Sequence, residues 1–320
     1  MRLSASTDHS QHSLEIEQHA PISTWFHIGG IAEKLAKPNS SDELIQCLEI
    51  DEEFKVLGEG ANLLVNDSGV SGLVVSLQTQ GFKQTELDTA AGVVRAGAGV
   101  ALPALISRCV RDGLGGLEAL SGIPATLGGA VIMNAGGAFG SISDFVLAVN
   151  AIDRAGRVHV FERSQIDFGY RQSLLNQLIV TEVVLQLESG DIGEIKSNLN
   201  KCMSYKSKSQ PLGKKSAGCV FKNPVLSMQI DEIGDANTRV GAGKLIDRAG
   251  CKGLAVRGAQ VSQVHANFIT TTKDAKAQDV IDLISMIQHR VLDVFGVPLE
   301  RELVIWGDHE LSNKSTKDTI

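Results

Sequence analysis

Ser121-Gly-Ile-Pro-Ala-Thr-Leu-Gly-Gly-Ala-Val-Ile-Met-Asn-Ala-Gly-Gly137 is the stretch whose reading decides the fold. Five of its residues are glycine, one is proline and none is charged, yet the flanking sequence is apolar. Glycine loses more backbone entropy on folding than any other residue, so such a density calls for a compensating need. Close approach of the backbone to a ligand supplies one, because successive N–H groups in glycine turns form concavities that accept phosphate oxygens. Ser121, Thr126 and Asn134 can add neutral hydrogen bonds, and without Lys or Arg a pyrophosphate would be held by amides rather than by side-chain charge. The competing reading is a tightly packed pair of turns.

Working outward, a second glycine element, Leu57-Gly-Glu-Gly-Ala-Asn62, follows the apolar run Phe54–Leu57, and a third, Gly97-Ala-Gly99, follows Val93–Ala96. A dinucleotide fold of the Rossmann kind needs a third glycine opening a helix and an acidic residue about 20 positions on. Val100-Ala-Leu102 follows Gly99 without that glycine, and Ala61-Asn-Leu63 leads into a strand rather than a helix. The glycine loops therefore do not belong to a Rossmann domain.

The rest of the chain alternates between strand and helix patterns without a strict βαβ repeat, which favours α+β domains over one doubly wound sheet. Ser41 begins a helix to Ile50 with Leu44, Ile45 and Leu48 on one face; Leu63–Val65 and Leu73–Leu77 read as strands. In a second unit, a helix from Leu102 to Asp112 ends at Gly113, Val146–Ile152 and Val158–Phe161 flank a turn, and Leu178–Leu187 is a strand. A third unit contains the strongest helix, about Asp274 to Phe295, stopped by Gly296 and Pro298. These patterns divide the chain into a poorly ordered tail at 1–20, units at 21–80, 81–200 and 201–307, and a flexible tail at 308–320.

A net charge of −7 argues against a nucleic-acid partner, since phosphate backbones demand clustered Lys and Arg. The one basic cluster, Lys201 to Lys215, reads either as a solvated loop or as a site for a small phosphorylated ligand. Five scattered cysteines without a CxxC pair suit a reducing compartment and exclude a zinc site. The polar N-terminus has no apolar core for a signal peptide, and no window of about 18 apolar residues occurs. A cytoplasmic protein without membrane insertion is expected.

Three further places carry candidate chemistry. Arg171 lies in Tyr170-Arg-Gln-Ser173; a lone Arg is usually a surface residue, but its guanidinium is also the best fork for a carboxylate. Cys219 lies in Ala217-Gly-Cys-Val-Phe-Lys-Asn-Pro224, where a cysteine is more often inert and buried. Glu300 and Glu302, in Leu299-Glu-Arg-Glu-Leu303, share one face if the segment is a strand, and a glutamate buried there must be paired or protonated.

Together with Val56-Leu-Gly-Glu-Gly-Ala-Asn-Leu-Leu-Val65 and Gly116-Leu-Glu-Ala-Leu-Ser-Gly-Ile-Pro-Ala-Thr-Leu-Gly-Gly-Ala130, these motifs resemble, in order, the UDP-N-acetylenolpyruvoylglucosamine reductase (MurB) family over residues 22–307. The resemblance implies an α+β protein: a two-subdomain FAD-binding fold of the vanillyl-alcohol oxidase (PCMH) type, with a C-terminal α+β substrate-binding domain. It implies non-covalent FAD, NADPH as co-substrate, and reduction of the enolpyruvyl group of UDP-N-acetylglucosamine-enolpyruvate to UDP-N-acetylmuramate. By motif position it assigns the cofactor to Leu57, Gly58, Gly60, Ala61, Asn62 and Leu63, and to Ser121, Gly122, Ile123, Pro124, Thr126, Gly128, Gly129, Ala130, Asn134 and Gly136. It assigns the substrate to Tyr170, Lys206, Lys208 and Asn223, and catalysis to Arg171, Cys219 and Glu302, with Glu300 as the second candidate for the glutamate. Many members carry Ser where this chain has Cys219, and an unperturbed thiol, pKa about 8.5, is far more acidic than an alcohol. The short spacing from Tyr170 to Cys219 resembles the type II members, which lack an extra tyrosine-bearing loop.

An FAD oxidase of the same cofactor fold would predict a covalent flavin link through His or Cys in the glycine segments. No His lies between positions 28 and 158, and neither loop contains Cys. A non-catalytic nucleotide-binding module is the third reading, and a purified protein without bound flavin would favour it.

Overall fold

The computed structural model describes residues 14–307. Three sheets of three or more strands, with four two-stranded ones beside them, follow from the strand patterns among the described residues. The first has four strands in the order Ile16–Pro21, Ile31–Ala36, Val70–Ser76 and Lys55–Leu57; the first pair is antiparallel and the others parallel. The second is a five-stranded antiparallel sheet, Val158–Glu162, Val146–Ile152, Ile179–Gln186, Val93–Gly97 and Thr85–Asp88. The third has three short strands, Ala255–Val256, Ala259–Val261 and Ile269–Thr271. Six α-helices accompany them: α1 (Ser41–Ile50), α2 (Leu102–Arg111), α3 (Leu127–Ile132), α4 (Ile192–Ser209), α5 (Ala242–Arg248) and α6 (Ala277–Phe295).

Local chemistry accounts for the helix starts. Ser40 caps α1 by accepting from Glu43 N, Thr126 caps α3 by accepting from Gly129 N, and Asp191 caps α4 by accepting from Glu194 N. The left-handed Gly296 ends α6. The apolar stripe of α6, including Val280, Leu283, Ile284, Ile287 and Val291, is buried in the core of the third unit. Truncating one such side chain, Leu283→Ala, is worth about 2–5 kcal/mol.

The packing redraws the boundaries expected from sequence. Residues 16–20 belong to an edge strand, paired with Ile31–Ala36 and anchored by Ala20, which is buried in a small core with Val65, Val70 and Val74. Residues 1–13 and the tail at 308–320 lie outside the described residues. The units at 21–80 and 81–200 share one continuous core, which joins Leu44, Leu73 and Leu77 to Leu105, Leu127 and Val183. Helix α4 replaces the solvated loop expected for the first half of the basic cluster, and its Ile195 and Leu199 pack on the core of the second unit. The third core draws Phe26 and Leu64 from the N-terminal unit. Its chain then returns: Val304–Trp306 pairs in parallel with Leu63–Val65. The strand expected over Leu299–Val304 is confined to that return, preceded by a single bridge between Arg301 and Phe221.

Candidate active site

One cleft, of about 440 Å³, lies where all three units meet, within the range of about 300–1,000 Å³ usual for ligand clefts. Residues 56–63 form one wall, residues 122–126 with 129, 130, 132, 133 and 135–139 a second, and Tyr205, Lys206, residues 210–214 and 216–219, Arg171 and Glu302 most of the remainder.

The first wall is built of backbone. Gly60 has φ +63, and a Cβ there would lie 2.4 Å from Ser23 O, so any side chain forces the loop off its support. A Cβ on Gly58 would lie 2.8 Å from Thr126 Oγ1, so the two loops touch because one of them has no side chain at that point. Among the described residues, no acceptor takes the backbone N–H groups of Glu59, Gly60, Ala61 or Asn62. Ser121 Oγ is likewise buried without a partner. Unpaired donors beside a cleft are costly unless a ligand accepts from them. The donor set is neutral and amide-rich, and these residues fit an anionic dinucleotide such as FAD.

The second half of the cleft is built of side chains carried by separate segments. Arg171 ends the two-residue loop between Phe168–Gly169 and Gln172–Ser173, at φ +58, a left-handed conformation costing a non-glycine residue about 1–3 kcal/mol. The hairpin is held there by Asn134, whose Nδ2 donates to Gly169 O at 2.9 Å, and by Ser173, whose Oγ donates to Ile132 O at 2.9 Å. Tyr170 stands behind Arg171, its ring 5.2 Å from the Arg171 guanidinium carbon and 4.1 Å from that of Arg239. Arg239 Nη1 donates to Asn223 O at 2.6 Å, and Asn223 N donates to Tyr170 Oη at 3.3 Å, which closes a clamp between the second and third units.

Glu302 meets Arg171 across the cleft: Oε1 lies 2.9 Å from Arg171 Nε, and only 14% of the glutamate side chain is exposed. The contact is an ion pair buried in the cleft wall. Burial raises the Glu302 carboxyl above the usual range, opposed by the Arg171 charge. Backbone bonds fix the carboxylate: Glu302 N donates to Val220 O at 2.8 Å, and Asn62 Nδ2 donates to Glu302 O at 2.9 Å. Glu300 points elsewhere, its Oε1 2.6 Å from Lys222 Nζ in an exposed pair.

Cys219, far from Glu302 in sequence, is brought beside it by the fold: its neighbour Val220 accepts from Glu302 N, and Cys219 itself bridges to Phe268. Burial pushes its thiol up to about 12, reinforced by the Glu302 charge and opposed by Arg171 and the Asn267 carboxamide. The acidity expected of an unperturbed thiol is therefore not retained; the sulfur keeps its proton across neutral pH. Lys206, on the inward side of α4, is 5% exposed, and its Nζ has no carboxylate partner among the described residues. Burial lowers its amine to about 8, with Arg171 adding to the shift and Cys202 opposing it.

Several expected residues act one step back from the cleft wall. Asn134 anchors the Arg171 hairpin through Gly169 and accepts from Ser143 N, so its carboxamide is committed away from a cofactor. Asn223 Oδ1 accepts from Ala242 N at 2.9 Å, and with Tyr170 it belongs to the clamp rather than the wall. Lys208 is exposed on α4 and does not line the cleft. Gly128 lines a smaller adjoining cavity with Gly58 and Thr126. Leu57, Leu63, Gly122, Ile123, Pro124, Gly129, Ala130 and Gly136 all line the cleft itself.

Sequence reasoning missed Trp25, Trp306, Phe139 and Tyr205, all of which line it. A signal was present: the chain has only two Trp and two Tyr, and three of those four rings face this cleft while Tyr170 stands behind it. Asn267, which holds Phe221 by two hydrogen bonds beside Cys219, left no comparable signal.

Comparison with known proteins agrees with this layout. Residues 210–306 match the model for the C-terminal domain of UDP-N-acetylenolpyruvoylglucosamine reductase, and residues 32–162 match an FAD binding domain. The chain is 38% identical to the UDP-N-acetylenolpyruvoylglucosamine reductase of Moorella thermoacetica over 302 residues, covering 92% of this chain and 94% of that one. It is 40% identical to the enzyme of the same name from Heliobacterium modesticaldum over 299 residues, covering 91% and 90%. Among solved structures it is similar to UDP-N-acetylenolpyruvylglucosamine reductase from Thermus caldophilus, with a TM-score of 0.76, 37% identity, and 92% and 99% coverage.

Proposed function

Because the chain belongs to the UDP-N-acetylenolpyruvoylglucosamine reductase family, we infer from its cleft which residues carry that family's reaction here. The protein is an FAD-containing oxidoreductase that uses NADPH to reduce the enolpyruvyl group of UDP-N-acetylglucosamine-enolpyruvate, giving UDP-N-acetylmuramate for peptidoglycan precursor synthesis. When bound, FAD supplies the hydride chemistry, between NADPH and the substrate alkene.

The observation that carries the assignment of roles is the Arg171–Glu302 contact beside Cys219, in the cleft that both glycine loops line. Hydride addition to one alkene carbon leaves negative charge on its neighbour, conjugated with the carboxylate. Arg171, whose guanidinium lines the cleft, answers that charge. Glu302, raised by burial, takes up a proton more readily than an exposed glutamate and can donate a hydrogen bond to the same carboxylate. Cys219 delivers the proton to carbon. Its thiol, pushed up to about 12, does not lose that proton to solvent at neutral pH and yields it only to a stronger base, such as the developing carbanion. Lys206 faces the cleft with an unpartnered charge suited to an anionic group of the substrate.

We place the protein in the cytoplasm, a reading supported by free cysteines and by the absence, among the described residues, of any helix long and apolar enough to cross a membrane. The test of the proton donor separates the half-reactions. Cys219→Ala leaves flavin reduction by NADPH unchanged and slows flavin reoxidation by the enolpyruvyl substrate about 10²–10⁴-fold. Equal slowing of both half-reactions, or of neither, overturns the role.

A further inference from the structure

A cysteine side chain turns about a single bond, so where the Cys219 thiol points depends on how its backbone is held. Residues 219–222 belong to no regular strand; isolated bridges join Cys219 to Phe268 and Phe221 to Arg301. The segment is held from two sides. On one, Val220 O accepts from Glu302 N at 2.8 Å and from Leu303 N at 3.2 Å, and Lys222 N donates to Glu300 O at 2.9 Å. On the other, one residue, Asn267, supplies three bonds.

Asn267 is buried, 2% exposed. Its backbone oxygen accepts from Val220 N at 2.9 Å, its Oδ1 accepts from Phe221 N at 3.0 Å, and its Nδ2 donates to Phe221 O at 2.8 Å. The carboxamide thus stands in for the peptide group of a missing partner strand, matching donor to acceptor in both directions. With both ends committed, the side chain has one orientation. Asn267 N in turn donates to His265 Nδ1 at 3.2 Å, and burial lowers the His265 pKa, which keeps that nitrogen free to accept. The His265 ring meets Phe268 edge to face, centroids 5.0 Å apart, and Phe268 lines the cleft with Cys219. Burial pushes the Cys219 thiol up to about 12, and the Asn267 carboxamide works against that shift.

We propose that Asn267 is a positioning residue for proton delivery: by its paired bonds to Phe221 and its backbone bond to Val220, it holds the Cys219 thiol toward the cleft in register with Glu302. The proposal rests on the reading of Cys219 as the proton donor. In that step the S–H bond breaks and a C–H bond forms at the carbon carrying the developing charge. The sulfur keeps the S–H electron pair as a thiolate until water returns a proton. An amide N–H beside the sulfur favours that thiolate, so Asn267 serves the step by charge as well as by direction. Flavin reduction by NADPH needs no proton from Cys219 and does not draw on Asn267.

Stopped-flow flavin absorbance under anaerobic conditions follows each half-reaction of the holoenzyme. Asn267→Ala lowers the limiting rate of reoxidation by UDP-N-acetylglucosamine-enolpyruvate about 10²-fold, the cost of a displacement of about 1 Å at a reacting group. The rate of reduction by NADPH and the half-saturating concentration of the enolpyruvyl substrate stay within about twofold of wild type, because only the transition state of proton transfer is touched. The double variant of Cys219→Ala with Asn267→Ala reoxidises within about twofold of Cys219→Ala alone, since a residue acting through the thiol has nothing left to act on. Asn267→Asp keeps the shape of the side chain, and its carboxyl regains a donor only when protonated. Its reoxidation rate is taken as a ratio to wild type at each pH, so that Glu302, Arg171 and His265, which surround the same segment, cancel. That ratio rises as pH falls from about 8 to about 6, because burial raises a carboxyl pKa. Should Asn267→Ala be purified without flavin, the aspartate variant carries the decision. The proposal is overturned if Asn267→Ala slows both half-reactions alike or neither, if the two alanine substitutions add fully, or if the aspartate ratio is flat with pH. Any of these beside a selective slowing in Cys219→Ala removes the proposal alone; without that slowing the donor reading falls, and the proposal with it.

Discussion

The two halves of the cleft are made of different materials. The wall at 57–63 and 121–130 is backbone: its glycines admit a ligand to the amides, and what matters there is the absence of side chains. The opposite half is four side chains, Arg171, Lys206, Cys219 and Glu302, each brought from a different element and each held by contacts several residues away. The first half is specified by composition and the second by topology. A substitution in the first should therefore remove cofactor binding altogether, while one in the second should spare the cofactor and weaken the substrate's binding or its reaction.

The sharpest break of that contrast is Gly60→Val. Its Cβ would lie 2.4 Å from Ser23 O at a φ of +63, so the loop must move. The expected product is a folded protein purified without flavin absorbance, inactive in both half-reactions; a yellow, reducible variant would show that the wall tolerates side chains.

That contrast also decides how much could be read from the chain. The glycine loops, α1, α2 and α6 were legible because each rests on local rules: turn residues, caps and an apolar period. Helix α4 was hidden because its inward face mixes Ile195 and Cys202 with the charged Lys206, so the stretch reads as a basic loop. Motif position assigns Asn134 and Asn223 to the site, and in the fold Asn134 donates to Gly169 O and Asn223 Oδ1 accepts from Ala242 N. Such partners, 35 and 19 residues away, leave no local trace. The pairing of Arg171 with Glu302 is likewise a property of the fold alone.

On the side-chain half, Arg171→Met removes the guanidinium but keeps much of the stem. Losing one preorganised donor at a developing anion costs about 10²–10³-fold, so flavin reoxidation by substrate falls by that factor while NADPH reduction keeps its rate. Rapid-mixing measurement of each half-reaction checks the split, and a parallel fall in both would mean the hairpin also shapes the cofactor wall.

The gentlest probe is pH. Lys206 has a folded pKa lowered to about 8, so its charge is present below that value and lost as pH rises through it. At pH 8.5 about one quarter of the amine remains charged, and the half-saturating concentration of its anionic ligand should rise about fourfold over that at pH 7. The rise should vanish in Lys206→Met, whose saturation is weaker throughout but flat with pH. A persistent rise in that variant would move the titration to another group.

The return of Val304–Trp306 to pair with Leu63–Val65 has a consequence for how the protein is born. Synthesis runs from the N-terminus, and early segments can begin to fold while later ones are still on the ribosome. The strand at 63–65, which leads out of the first glycine loop, has no partner until nearly the whole chain has been made. Glu302 arrives with that partner, tied to Asn62 across 240 residues of sequence. This late segment thus completes the support of the first glycine loop and brings Glu302 into place in the same event. A nascent chain that has not yet reached Glu302 lacks both together.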